Sequence, residues 1–447
     1  MIRVLALALG IAAIAADARA AAATPAGETT VYAGATLIDG TGAPPETNMA
    51  IVTRGERIIA VVPAASAPKS GKHVDMHGRF VLPGLINTHV HMATWPNLPF
   101  AEALLRRDVY NGVTAVRDMA GDARELAYLS RAARLGEVPA PDIYYAALMA
   151  GPEFFKDKRT HDAAQGAVPG EVPWLQAISA KSDITIAVAR ARGSFATGIK
   201  IYADLPAPLV DAITAEAHRQ GILVWDHAAV FPASPKQVID SGADVVSHVC
   251  MLAYQASQKM PPAYHDRAAV EAAKFAGDAT TPVMRDLFAD MKRRGTILDA
   301  TLYVYDEMRK VPHADPPPYC TLALAAKLAG QAHRAGVEIS AGTDGWADWA
   351  SPYPALFDEL GFLVHGAGFT PLEAIRAATL VGARTIGQEM AMGSIAPGKL
   401  ADFVFVANDP LAGIANLKSV VLTVKRGHAY PRKGYKPITK DEASGAF

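Results

Sequence analysis

Cysteine is scarce in this chain, with only Cys250 and Cys320 among 447 residues. Two thiols exclude a disulfide framework, and separate buried thiols are the expected state. Neither sign of charge is in excess: 43 Lys and Arg against 44 Asp and Glu leave a net charge of −1. No global field therefore draws the chain to nucleic acid or to an anionic membrane. No basic stripe or nucleic-acid motif occurs either. Past the first twenty residues no apolar run is long enough to span a bilayer. There is no repeat of fixed period and no low-complexity segment beyond an Ala-rich leader.

What remains is a composition of 51% hydrophobic and 19% charged residues. It suits a large buried core and excludes a disordered chain. Residues 1–20 stand apart. Arg3 gives a short positive region, Val4 to Ala16 an apolar one, and Ala18-Arg-Ala20 a small-x-small cleavage pattern. These predict a signal peptide, hence an exported protein, periplasmic or secreted, with no membrane span after processing.

Short strands and turns follow from Thr30 to His77, and similar ones recur in Asp402 to Ala407 and Val420 to Gly427. Between them, apolar runs alternate with Ala-rich helical stretches, the rhythm of a parallel α/β sheet or barrel. Eight strands are predicted near 82–90, 113–118, 142–147, 198–202, 222–227, 244–249, 296–301 and 337–343. Leu209 to Gln220 is a clear helix, closed by Gly221. Eight such units fit a (β/α)8 TIM barrel. Two connections, 148–197 and 250–295, are long and without obvious structure, as lids or substrate loops are.

In such barrels the working residues sit at the C-terminal ends of strands. The first strand ends in His89 and His91, which share a face because strand side chains alternate. The fifth ends in His227, the sixth in His248 and the eighth in Asp344. Five ligand-type residues on four strand ends point to a metal centre. On the fourth strand, Ile199 and Ile201 face one way and Lys200 the other. If the isoleucines pack on outer helices, Lys200 points into the barrel. A bare ammonium beside metal cations would be repelled there. Reaction with carbon dioxide gives an anionic carbamate able to bridge two metals.

At these residues the chain resembles the amidohydrolase superfamily, in its imidazolonepropionase-like and Xaa-Pro-dipeptidase-like branch. The resemblance spans nearly all of the chain after residue 20. It rests on Gly34 to Gly42, Phe80 to His91, Gly112 to Asp118, Lys200, His227, His248, Gly342 to Asp344, Thr370 to Thr379 and Gly393 to Asp402. It implies a hydrolase barrel over 81–390 and a small β-sandwich formed by both chain ends, 29–80 and 391–434. It further implies that His89, His91 and Asp344 hold one metal, His227 and His248 a second, and carboxylated Lys200 bridges them. Two Zn2+ are expected; the donor set also suits manganese, iron or cobalt. A bridging hydroxide would attack the substrate carbonyl, with Asp344 moving its proton to the leaving amine.

Asn87 stands where the family usually has Asp, a position expected to support the ligands rather than to be one. The dipeptidase pattern of a Gly-Gly segment soon after the lysine is missing. The expected activity is hydrolysis of an amide-type C–N bond in a small N-acyl or peptide-like compound. The alternatives are an Xaa-Pro-type dipeptidase, a lactonase, esterase or phosphotriesterase, and a catalytically inert periplasmic binding protein. Tyr202, Tyr254, Trp346 and Trp349 follow site residues and are expected to line an aromatic pocket. Arg117 and Asp118 are expected either to support the site residues or to form a structural ion pair, the second being preferred. A homo-oligomer is compatible with the sequence.

Overall fold

The computed structural model describes residues 27–94, 97–277, 279–310, 318–345 and 348–444. The expected signal peptide and Trp346 lie outside the described residues. Among those described, no helix is long and apolar enough to cross a membrane.

The centre is a barrel of eight parallel strands. They are Leu85–Val90, Val113–Asp118, Asp142–Ala150, Gly198–Ile201, Leu223–His227, Val245–Ser247, Ile297–Asp299 and Ile339–Ser340, each paired with the next in chain order. The last meets the first through Thr88 N–H donating to Ala341 O (3.0 Å) and Asp344 N–H donating to His89 O (2.9 Å). Asn87 strengthens this seam: its Nδ2 donates to Thr343 Oγ1 (3.1 Å) and its Oδ1 accepts from the His89 and Thr343 amides. Asn87 thus ties together the strand ends that carry His89 and Asp344.

Helices form the outer layer for the usual reason, one apolar stripe each. Ala207–Arg219 buries Val210, Ile213, Thr214 and Ala217, at helical spacing, against the barrel. Each large aliphatic side chain of that stripe contributes about 1.5–3 kcal/mol. Gln220 caps the helix, and Gly221 at φ 73° turns the chain away. Inside the barrel floor, Trp225 is fully buried beneath the Arg117 guanidinium, 4.9 Å from its ring centre.

Both chain ends build a second, eight-stranded sheet. Its order places Thr29–Leu37 beside Phe80–Pro83, and Phe80–Pro83 beside Phe403–Val406. Tyr32, Phe403 and Phe405 anchor its core with ring centres 5.3–5.7 Å apart. The run expected as one strand over 82–90 is therefore two. Phe80–Pro83 pairs with Thr29–Leu37 and Phe403–Val406, and the chain crosses to the barrel at Gly84. A Cβ at Gly84 would lie 2.0 Å from Thr114 Oγ1, so only glycine passes.

Three further expectations are corrected. The 148–197 connection is structured: it carries helices Lys158–Ala164 and Ile184–Gly193, and Leu175–Ala177 pairs with the end of the third strand. The 250–295 connection holds helix Pro282–Arg294. Cys250 and Cys320 are not separate thiols but a disulfide, with Cα atoms 6.3 Å apart. The fold brings them together because Cys250 follows the sixth strand and Cys320 precedes the helix Leu322–Arg334.

Candidate active site

The residues singled out at strand ends meet at one end of the barrel. His89, His91 and Asp344 form a compact group whose ligand atoms all lie within 4.8 Å of one another. His91 Nε2 is 3.0 Å and His89 Nε2 is 3.4 Å from Asp344 Oδ1. Lys200 Nζ points inward, 3.5 Å from His89 Nε2, and is buried. His248 lies beside His89, with ring centres 5.0 Å apart, and its Nδ1 is 3.7 Å from Asp344 Oδ2. His227 lies beside His248 at 4.7 Å. Gly342 makes the crowding possible: a Cβ there would lie 2.1 Å from Asp299 Oδ1 and 2.7 Å from His89 Cβ.

Burial sets the charge states. It lowers His89 and His227 well below the ordinary imidazole value and His248 to about 4. These imidazoles are neutral at pH 7, the form that binds metal. Burial also lowers Lys200 to about 8, which leaves some neutral amine. For Asp344, burial pushes upward, but His89, the hydrogen bond from His91 and His248 outweigh it. Its carboxyl sits well below the usual range.

One feature shows that the cluster suits a cation. Both ring nitrogens of His227 are buried with no hydrogen-bond partner among the described residues. An unsatisfied buried polar group costs about 1–3 kcal/mol, which ligation would offset. Strain is also concentrated here. His248, Thr301 and Asp344 adopt φ of 72°, 52° and 51° at the ends of the sixth, seventh and eighth strands. Non-glycine residues held there cost about 1–3 kcal/mol each and gather at functional sites.

The sequence reading passed over Asp299, which ends the seventh strand. Its Oδ2 accepts from His89 Nδ1 (2.7 Å), Arg117 Nη2 (2.8 Å) and Ser247 Oγ (3.0 Å), and its Oδ1 from Thr88 Oγ1 (2.9 Å). Asp299 fixes His89 with its proton on Nδ1 and its Nε2 lone pair facing the cluster. Arg117 is thus paired with Asp299 rather than with its neighbour Asp118, whose carboxylate accepts instead from the Met92 and Ala120 amides. Thr301 Oγ1 bonds His248 Nδ1 at 2.9 Å in the same supporting manner. The position of Asp299 at a strand end was the available signal.

A cavity of about 400 Å³ opens over the cluster, lined by His91, Lys200, His248 and Asp344. Tyr202 lines it, its ring 3.9 Å from that of His227. Burial raises its phenol well above the ordinary value, so it remains a donor. Tyr254 does not line the cavity: its hydroxyl donates to Ala268 O and its ring packs on Phe231. Trp349 is half-buried against the main core and also lies outside the lining. Arg159, Phe154 and Tyr264, all from the long connections, line it instead.

A family model described as the amidohydrolase family matches residues 80–430. No curated protein matches the sequence. Among solved structures, the chain is similar to a Xaa-Pro dipeptidase with bound methionine: 21% identity, TM-score 0.71, covering 90% of this chain and 100% of that one. It is similar to ochratoxinase of A. niger at 21% identity and TM-score 0.71, covering 94% and 100%. It is similar to molinate hydrolase at 19% identity and TM-score 0.68, covering 92% and 96%. At these identities the likenesses speak for the fold. The family match covers most of the chain, and the chain belongs to the amidohydrolase family, as a hydrolase acting on C–N bonds.

Proposed function

We propose that this member of the amidohydrolase family is an exported, metal-dependent enzyme that hydrolyses the amide-type C–N bond of a small N-acyl or peptide-like compound. The observation that carries the reading is the convergence of His89, His91 and Asp344 beside a His227 whose buried ring nitrogens lack partners.

His89, His91 and Asp344 would hold one divalent cation, and His227 and His248 a second. Lys200 would join both as its carbamate. That group forms when the neutral amine bonds to carbon dioxide and releases a proton, and the lowered pKa of Lys200 favours it. Imidazole and carboxylate donors suit zinc. Metal bound there would supply a Lewis acid for the scissile carbonyl and a lowered pKa for water.

The chain's own residues do the rest. Asp344 accepts the proton of the attacking water and delivers it to the leaving nitrogen as the C–N bond breaks. Asp299 and Arg117 hold His89 in its orientation. Tyr202 closes the site above His227. No serine or cysteine nucleophile is required.

The leader pattern of residues 1–20 supports export, and the Cys250–Cys320 disulfide suits an oxidising compartment. N-terminal sequencing of the processed protein should begin at Ala21; an intact Met1 in a secreting host argues against export. For the activity, the metal-loaded protein should be assayed in parallel on N-acyl amino acids, dipeptides, lactones and aryl esters. Amide turnover that a chelator abolishes is expected. Ester or lactone turnover without amide turnover would replace this reading.

A further inference from the structure

The turn that follows His248 is tied to a distant part of the chain. Val249–Ala256 forms a 3-10 helix, and Cys250 within it is joined to Cys320, 70 residues on and just before the helix Leu322–Arg334. Both cysteines are buried. Tyr319, next to Cys320, lines the cavity over the strand-end cluster. Tyr319 Oη lies 3.0 Å from Tyr305 Oη, which accepts from the Cys250 backbone amide at 3.3 Å. Tyr319 is therefore held in a closed ring. One arm is the disulfide, the other the two phenols, and both end on Cys250.

A second stretch of the wall leans on Tyr319. Val270 N–H donates to Tyr319 O at 2.8 Å. The Arg267 guanidinium lies over two rings that both line the cavity, 3.8 Å from the ring centre of Tyr264 and 5.1 Å from that of Tyr319. Between Ala256 and Pro282 the only regular element among the described residues is the 3-10 turn Ala272–Phe275. Secondary structure thus does little to hold this stretch, and side chains fasten it. Tyr264 N–H donates to Asp204 Oδ1 (2.7 Å), Tyr254 Oη donates to Ala268 O (2.6 Å), and Lys274 Nζ donates to Ala256 O (2.9 Å). Tyr254 and Ala256 belong to the same turn as Cys250, which makes that turn the hub of the wall.

The barrel has its own supports. Neither cysteine lies in a barrel strand. The His248 backbone amide donates to Asp299 O (3.0 Å), and its ring is held by Thr301 Oγ1 (2.9 Å). A cross-link acts by restricting the chain that it closes. Its loss is felt first where few other bonds hold the backbone, and here that is the wall rather than the strands.

We propose that the Cys250–Cys320 bond is a redox-dependent brace: the barrel and its strand-end cluster form with or without it, whereas the cavity wall carrying Tyr264 and Tyr319 is ordered only in the oxidised chain. The inference rests on the amide-hydrolase reading only in taking this cavity as the substrate's. The bond forms by thiol–disulfide exchange. One cysteine thiolate attacks a protein or small-molecule disulfide, and the other cysteine resolves the mixed disulfide. The two electrons and two protons lost by the cysteines leave on the donor as two thiols. A chain still reduced has its cluster but an unbraced wall.

Hydrogen exchange read by mass spectrometry tests this on the full-length protein and needs no substrate, so its outcome is independent of the amide-hydrolase reading. Three samples are compared: the oxidised wild type, the wild type unfolded and refolded in a water-soluble phosphine, and the double variant Cys250→Ala, Cys320→Ala. The phosphine becomes its oxide, with oxygen from water, as the disulfide becomes two thiols, and thiol titration verifies the reduction. Peptides over 257–276 and 318–321 should exchange at least about 10-fold faster in the second and third samples than in the first. Peptides over Leu85–Val90 and Leu223–His227 should exchange equally in all three. Wall peptides that exchange as in the oxidised protein overturn the brace. So does acceleration of the strands to the same degree, or failure of both altered chains to fold, because the bond then staples the whole fold. If only one altered chain folds, that chain decides; if both fold and only one shows the loosened wall, the brace is overturned.

Discussion

Asp299 Oδ2 accepts a hydrogen bond from His89 Nδ1 across 2.7 Å, with both side chains shielded from solvent. The same oxygen accepts from Arg117, whose guanidinium burial lowers to about 10, still a cation at neutral pH. His89 therefore does not choose its own tautomer. Asp299, itself paired with Arg117, sets it.

Replacing Asp299 with Asn should break this control with little change of shape. The amide can donate to His89 Nδ1 and so favour the opposite tautomer. Metal affinity should fall about 10- to 100-fold, the range for such supporting groups. Competition with a coloured chelator measures it. Unchanged affinity in a folded variant would show that Asp299 serves packing alone.

Asp344→Asn should keep the fold and lose at least ~10²-fold in kcat, the low end for a general base. The amide still fills the space beside His91 but cannot take a proton from water. Steady-state kinetics with metal content measured on the same sample gives the answer. Near-full kcat with metal bound would exclude Asp344 as the proton carrier.

Glu359 gives a prediction about stability. It is fully buried, its carboxylate accepts from the Tyr303 backbone amide, and burial raises it from 4.5 to about 8. Between those values the native state holds a proton that the unfolded chain has released. Native stability should therefore fall as pH rises from about 4.5 to about 8, by on the order of a few kcal/mol. Glu359→Gln cannot ionise and should flatten this part of the curve. Urea midpoints at several pH values between 5 and 9 test it; parallel curves for the two proteins would refute it.

Much of this architecture is legible in the sequence for one physical reason. A barrel strand is a short apolar run, and a polar residue at its C-terminal end interrupts that run visibly. His227, His248 and Asp344 all stand at such interruptions, and all three strands lie within a few residues of the predicted spans. Asp299 stands at an interruption too, but a single carboxylate has no sequence neighbour to announce the histidine 210 positions away that it orients. Arg159 and Tyr264 are harder still. They arrive on long connections whose paths depend on tertiary contacts, such as that of Tyr264 with Asp204. Tyr254 and Trp349 follow His248 and Asp344 closely in sequence, yet the chain turns their rings into the packing behind the wall. The disulfide joins residues 70 apart and follows from the same loop path.

The central claim is that Lys200 is carboxylated and bridges two metals. Its Nζ faces His89 inside the barrel, and Lys200→Ala removes the anion proposed to bridge the two metals. Two dications a few ångströms apart then repel with less compensation. The direct measurement is metal content by elemental analysis of the wild type and of Lys200→Ala, both purified with the same metal supply. The account predicts two metals per chain in the wild type. In the variant it predicts one or fewer, with activity lost and partly restored by added acetate or propionate. A folded variant that keeps two tightly bound metals and wild-type turnover would contradict it.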